Sequence, residues 1–174
     1  RIRMPRSSFR MKRLFFFYCM VLPSALLSQN EFNRMVDKLI SEDVPVLTVE
    51  ALHEKIKAEQ HILLLDAREN MEYSVSHLNG AKHCGYEQFN VEVVKGVNKA
   101  ATVVVYCSVG YRSDKIAGKL QAMGFTDVRN LYGGIFDWVN KGYPVYNNNG
   151  KTDQIHGYDQ KWGKWLTRGE KVFK

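Results

Sequence analysis

Two unbroken apolar runs limit what this chain can fold into. "HILLLDARE", residues 61–69, and "ATVVVYC", residues 101–107, lack the apolar–polar alternation of a strand with one wet face. Both read as strands covered on two sides, the pattern of a parallel sheet. Such strands need crossover helices, and "VPVLTVEALHEKIKAEQ" (residues 44–60) and "RSDKIAGKLQAMGF" (residues 112–125) supply helical spacing on either side of them. The first of these helices starts with Thr48 as its cap and places Val49, Leu52 and Ile56 on one face. With the short pieces "AKHC" and "DVRNL", the pattern predicts an α/β fold of three layers: a parallel sheet of about five strands with helices on both faces.

A chain of 174 residues supports one ordinary core, so one domain is expected, with ends that lie outside it. Charge points to the same division. The net charge is +7, yet Arg1, Arg3, Arg6, Arg10, Lys12 and Arg13 carry six of those charges before any acid appears, and from Leu14 onward 19 basic residues face 18 acidic ones. A body that close to neutrality is a poor match for the phosphate backbone, so nucleic acid is excluded as a partner.

The basic start runs into "MKRLFFFYCMVLPSALLSQN", whose positive head, apolar stretch and small residues have the architecture of a secretory signal beginning at Met11. Residues 1–28 are therefore read as a leader, with cleavage after Ser28, and the protein as exported, in a bacterial setting to the periplasm. An uncleaved leader acting as a membrane anchor is the rival reading. Removing the leader takes Cys19 and leaves Cys84 and Cys107, which are too few for a disulfide framework but enough to pair with each other.

Residues 29–43 carry Phe32, Met35, Val36, Leu39 and Ile40 at helical spacing and read as a helical extension that docks on the domain, which spans residues 44–146. The turn-rich "YNNNGKTD" from Tyr146 marks the domain's edge, and residues 147–174 form a C-terminal extension without a clean period. Its Trp162 and Trp165 are expected to pack back onto the body.

Ligand sites of parallel sheets lie at the carboxyl ends of strands, and Cys107 stands at such an end. After it, "SVGYR" makes a short connection with Gly110 at its middle, and Ser113 and Asp114 open the next helix. Amide N–H groups curling around the sulfur, with a helix N-terminus behind them, would favour a thiolate. Arg112 adds a fixed charge and a donor fork suited to an oxyanion. Ser108, Val109 and Tyr111 would ring the entrance and select the donor. The competing reading makes Cys107 a small buried hydrophobe.

Three motifs in order resemble the rhodanese family, in particular its single-domain sulfurtransferases. "DARENMEYSVSHLNGA" holds Asp66, Arg68, Glu72, Tyr73, His77, Gly80 and Ala81; "YCSVGYRS" is similar to the family's C-x-x-G-x-R-S loop; "NLYGGIFDWVNKGYPV" is similar to its closing segment. The resemblance implies that Cys107 is the nucleophile, with Ser108, Val109, Gly110, Tyr111, Arg112 and Ser113 around the substrate. It implies transfer of sulfur from thiosulfate or a persulfide to a thiol or cyanide by a ping-pong route, with no cofactor and no metal. His53, His61, His77, His83 and His156 make no zinc-ligand pattern with the cysteines.

Around that centre, Asp66 is expected to cap a turn and pair with Arg68, Tyr73 and His77 to tie a helix to a loop, and Gly133 and Gly134 to form a strand-to-helix turn. Ser76, Asn79 and Cys84 depart from the family's usual residues, and Cys84 has two readings, a plain core residue or a resolving thiol. Two rivals remain. One is a binding or carrier module of the same fold. The other is a phosphatase or arsenate reductase, whose loop between cysteine and arginine is longer than Ser108–Tyr111.

Overall fold

The computed structural model describes residues 22–173, and at its centre is the sheet that the two apolar runs predict. The expected start at Met11, the apolar stretch that follows it up to Val21, and Cys19 lie outside the described residues. Strands β2 (Leu63–Asp66) and β4 (Thr102–Tyr106) are the two runs, paired parallel with Leu63 opposite Val103 and Asp66 opposite Tyr106. With β1 (Val46–Leu47), β3 (Lys82–His83) and β5 (Asp127–Leu131) they form one parallel sheet in the order β1-β5-β4-β2-β3.

Both faces of β4 are buried, which is why its sequence shows no alternation. Val104 and Tyr106 enter one core, with Val49 and Leu52 of α2 (Val49–Lys57) and Ile135, Phe136 and Trp138 of α5 (Gly134–Asn140). Val103, Val105 and Cys107 enter the other, against Ile116, Ala117 and Leu120 of α4 (Tyr111–Ala122). Burying one such aliphatic side chain contributes about 1.5–3 kcal/mol, so a strand fixed on both faces is held rigidly under whatever follows it. Thr48 caps α2 as expected, its hydroxyl oxygen accepting from the Ala51 amide at 3.2 Å.

The chain's ends wrap the first core. Helix α1 (Leu22–Asp37) docks through the buried Phe32 and Val36. It stops before residue 43: Leu39 and Ile40 sit in a turn, and Ser41 gives its amide and hydroxyl hydrogens to Asp114 rather than to a helix. After α5, β6 (Val145–Asn147) and β7 (Gly150–Thr152) form a hairpin that crosses the edge expected at Tyr146. An arm follows, built from β8 (Gln154–His156), the short α6 (Gln160–Gly163) and β9 (Glu170–Val172), with β8 and β9 parallel. Ile155 and Leu166 of the arm are fully buried, and Trp162 and Trp165 pack partly buried against the same core, as their expected packing role requires. Among the described residues no helix is long and apolar enough to cross a membrane.

The sheet order places the site. From β2 the chain passes through α3 (Asn70–Val75) to β3 on one side, and from β4 through α4 to β5 on the other. The crevice beyond the carboxyl ends of β2 and β4 is thus the topological switch point, and Asp66 and Cys107 stand at its two strand ends.

Candidate active site

Cys107 leaves β4 directly into the loop Ser108–Gly110, and Gly110 caps α4. Its φ of +122° lies where side chains rarely go, so glycine permits the turn that brings the Gly110 amide back onto the cysteine. That N–H donates to Cys107 Sγ at 3.1 Å, with the positive end of α4 behind it. Ser113 Oγ lies 3.5 Å from the sulfur, 2.7 Å from Asn130 Oδ1 and 3.1 Å from the Gly110 carbonyl. One hydroxyl proton cannot serve all three; the shortest contact takes it, and Ser113 is tied first to Asn130. Asn130 in turn donates to the Gly110 carbonyl at 3.0 Å, so the end of β5 braces the loop.

The loop's carbonyls are held by the glycine turn that the closing motif predicts. The amides of Ile135 and Phe136 at the start of α5 donate to the Cys107 and Ser108 carbonyls at 2.9 and 3.0 Å. A Cβ on Gly134 would meet the Cys107 carbonyl oxygen at 2.3 Å, so this close approach requires glycine. Gly133 and Gly134 therefore seat the backbone of the Cys107 loop.

The Arg112 fork does not face an open anion site. It grips Glu72 of α3 with two bonds of 2.6 and 2.8 Å, and its Nη2 also donates to Ser108 Oγ at 2.9 Å. Ser108 Oγ donates to Glu72 at 3.0 Å, and the Glu69 amide adds another bond to the same carboxylate at 3.0 Å. Burial pushes the Glu72 carboxyl up, but the hydrogen bonds and charge of Arg112, helped by Arg68, outweigh it and hold it below the usual carboxylate range. The same partner raises Arg112 against its own burial. This clasp fixes the far end of the loop to α3.

Of the residues expected at the entrance, Ser108 and Val109 are buried instead: Ser108 is drawn inward by Glu72, and Val109 joins the first core. Tyr111, 44% exposed, stays at the surface near Tyr86. Asp66 and Arg68 pair completely buried, with bonds of 2.6 Å from Nη2, 3.0 Å from Nε and 2.9 Å from the Arg68 amide, the turn-capping role expected of them. Tyr73 donates to the Ala81 carbonyl at 2.8 Å and stacks on His77 at 4.0 Å between ring centres, and His77 Nδ1 lies 3.0 Å from the Tyr73 carbonyl. These two tie α3 to the chain beyond it, away from the sulfur.

Cys84 and Cys107 are both free. Cys84 Sγ donates to the Asp66 carbonyl at 3.2 Å, and burial, then the Asp66 charge, pushes its thiol up to about 12. A thiol so strongly protonated is a core residue and a poor resolving nucleophile. Among the described residues no group of three His, Cys, Asp or Glu side chains is placed to hold a metal.

Four residues of this neighbourhood escape a reading by residue type. Glu72 and Asn130 lie inside the quoted motifs, and a carboxylate within a helix that covers a buried strand end was the available signal for Glu72. His156 and Tyr158 come from the arm. His156 is 5% exposed, and burial holds its ring below the usual imidazole value, while the Tyr158 ring lies 5.2 Å from the Arg112 guanidinium carbon. Nothing in their local sequence announces this position.

Comparison with known proteins agrees with this architecture. A model of the Rhodanese-like domain matches residues 48–141, more than half of the chain. A protein of Bacillus subtilis (strain 168) named for a sulfur carrier role, YrkF, is 27% identical over 101 residues, covering 58% of this chain and 54% of its own. The tRNA uridine(34) hydroxylase of Oceanobacillus iheyensis is 29% identical over 119 residues, covering 66% of this chain and 36% of its own. This chain thus spans about half of the first relative and about a third of the second. A crystal structure of a Bacillus halodurans protein superposes with a TM-score of 0.56 at 25% identity over 70% of this chain and 88% of its own. With a family model over more than half its length and the cysteine loop built at the switch point of a five-stranded parallel sheet, the chain belongs to the rhodanese-like domain family.

Proposed function

We propose that this protein is a sulfurtransferase that carries sulfane sulfur on Cys107. The observation that carries the reading is the Gly110 amide, aimed at Sγ from the first turn of α4. In the first step the Cys107 thiolate attacks the outer sulfur of a donor such as thiosulfate. The donor's S–S bond breaks, its electron pair leaves with sulfite, and a cysteine persulfide remains. In the second step a thiolate or cyanide attacks the outer sulfur, and the Cys107 thiolate departs. The amide and the helix dipole lower the cost of the anionic sulfur at both stages. Asp66, Arg68, Tyr73 and His77 support the loop from outside it, and Arg112 acts through Glu72.

The carrier reading draws on a different observation, the burial of Cys107 to 1% exposure, and on the relative named for a sulfur carrier. Both readings require a persulfide; they differ in turnover. The phosphatase reading loses support because the Arg112 fork is already occupied by Glu72. Export to a bacterial periplasm belongs to the same proposal and rests on the leader sequence alone.

Intact mass after thiosulfate treatment tests the chemistry. The wild type gains one sulfur atom and Cys107→Ser gains none; an unmodified wild type overturns the proposal. Continuous thiocyanate release from thiosulfate and cyanide assigns the enzyme, and loading without release assigns the carrier.

A further inference from the structure

Cys107 turns its side chain into the core on the α4 side of the sheet, where Ala67, Cys84 and Ile116 also lie. A donor has to approach the sulfur on that side. Beyond the carboxyl end of β3 the half-buried Tyr86 packs against the same core, and its ring centre lies 6.5 Å from that of Tyr111 in the first turn of α4. Cys107 itself is 1% exposed, so a donor meets it between side chains and not in bulk water. Any charge the donor carries must then be matched there or be desolvated at a cost.

Three cations stand around the loop, and each is already matched by a carboxylate. Arg112 gives its fork to Glu72 at 2.6 and 2.8 Å, and Arg68 is wholly buried against Asp66. Lys115, one turn further along α4, lies 3.0 Å from Asp114. Asp114 is 2% exposed and otherwise held by the amide and hydroxyl of Ser41 at 3.2 and 3.1 Å, so drawing Lys115 away to an anion would leave a buried carboxylate without its cation. None of the three is left to balance a dianion. The Gly110 amide and the positive end of α4 serve one negative charge, that of the Cys107 thiolate. The rings of Tyr86 and Tyr111, by contrast, offer polarisable faces, which divalent sulfur contacts favourably.

We propose that Cys107 takes its sulfur from an organic persulfide, R–S–SH, in preference to the thiosulfate dianion, with Tyr86 and Tyr111 as the residues that make this choice. The preference deepens the sulfurtransferase reading and rests on it. The Cys107 thiolate attacks the outer sulfur of the persulfide. The bond between the two donor sulfurs breaks, its electron pair leaves with the thiolate R–S⁻, and the hydrogen stays on the outer sulfur, now part of the Cys107 persulfide. One negative charge enters this step and one leaves it, so the paired carboxylates and cations are undisturbed. Thiosulfate brings two further charges, and the sulfite that departs carries both.

Alkylation of Cys107 in the full chain by neutral iodoacetamide and by anionic iodoacetate, at low ionic strength, reads the charge preference without any sulfur transfer. 2-Mercaptoethanol under the same conditions gives the preference that the two reagents show for a small thiol. Cys107 is expected to favour iodoacetamide more strongly than that, several-fold and up to about tenfold. Tyr111, 44% exposed, is open to substitution. Tyr111→Lys places an unpaired cation there and pulls the preference back toward that of the small thiol, whereas Tyr111→Gln adds no charge and keeps it. A wild-type preference no greater than that of 2-mercaptoethanol overturns the proposal. So does a Tyr111→Lys preference equal to wild type, or a Cys107 that neither reagent alkylates. Intact mass then follows the donors themselves: the wild type gains sulfur faster from 2-hydroxyethyl persulfide than from thiosulfate, and Tyr111→Lys narrows the gap. Faster gain from thiosulfate overturns the preference alone, while gain from neither donor overturns the sulfurtransferase reading and the preference together.

Discussion

Glu72 decides whether the Cys107 loop has a fixed end. It is almost wholly buried, and removing its charge leaves the desolvated Arg112 guanidinium without a counter-charge. Glu72→Gln is expected to cost about 3–5 kcal/mol in urea unfolding, the range for breaking a buried pair from one side. Because its pKa is lowered in the fold, the stability it contributes is complete above its unfolded value of about 4.3 and is lost as pH falls through the folded value. His156 works in a higher window. Burial holds it below its ordinary value, Arg68 and Arg112 push the same way, and Glu72 opposes them. The neutral ring is the folded form, so stability is full above about pH 6.5 and declines as pH falls below it. His156→Gln is expected to flatten that decline in thermal melts recorded from pH 7 to 5. Residues of this kind set the limit of the sequence reading. Cys107 was legible because strand, loop and helix are contiguous around it, whereas the partner of Arg112 lies 40 residues away and the burial of His156 is known only once the arm is folded.

The elements that seat the loop were readable where their periods are long. Strands β2 and β4 and helices α2 and α4 follow from apolar pattern and capping, and the sheet follows from them. The arm did not, because its strands are three residues long, shorter than any period can establish. The end of α1 was missed for another reason: Leu39 and Ile40 keep apolar spacing, but Ile40 is claimed by the Cys107 loop and Ser41 by Asp114. The turn into α5 offers a sharp test at this scale. Gly134→Ala places a methyl group against the Cys107 carbonyl in a left-handed backbone. It is expected to cost about 2–4 kcal/mol and to slow sulfur loading even where the protein remains folded. A folded variant that loads at the wild-type rate would remove α5 from the account of the site.

Taken whole, the molecule has one sheet with unequal coverings: α4 dominates one face, while α1, α2, α5 and the arm share the other. Leu166, far from the sulfur along the chain, belongs to that second covering. Leu166→Ala is expected to lower stability by about 2–5 kcal/mol, moving the urea midpoint without changing the slope, because the arm melts with the domain. A separate early transition would instead show the arm to be an appendage. The sheet pairs β1, near the start, with β5, near the end, and the arm closes the structure later still. During synthesis, then, Cys107 emerges well before its surroundings are finished. Until the arm has emerged and folded, the core that holds Val109 lacks Ile155 and Leu166, so the Cys107 loop is settled only after strands made long before have waited for a segment made long after.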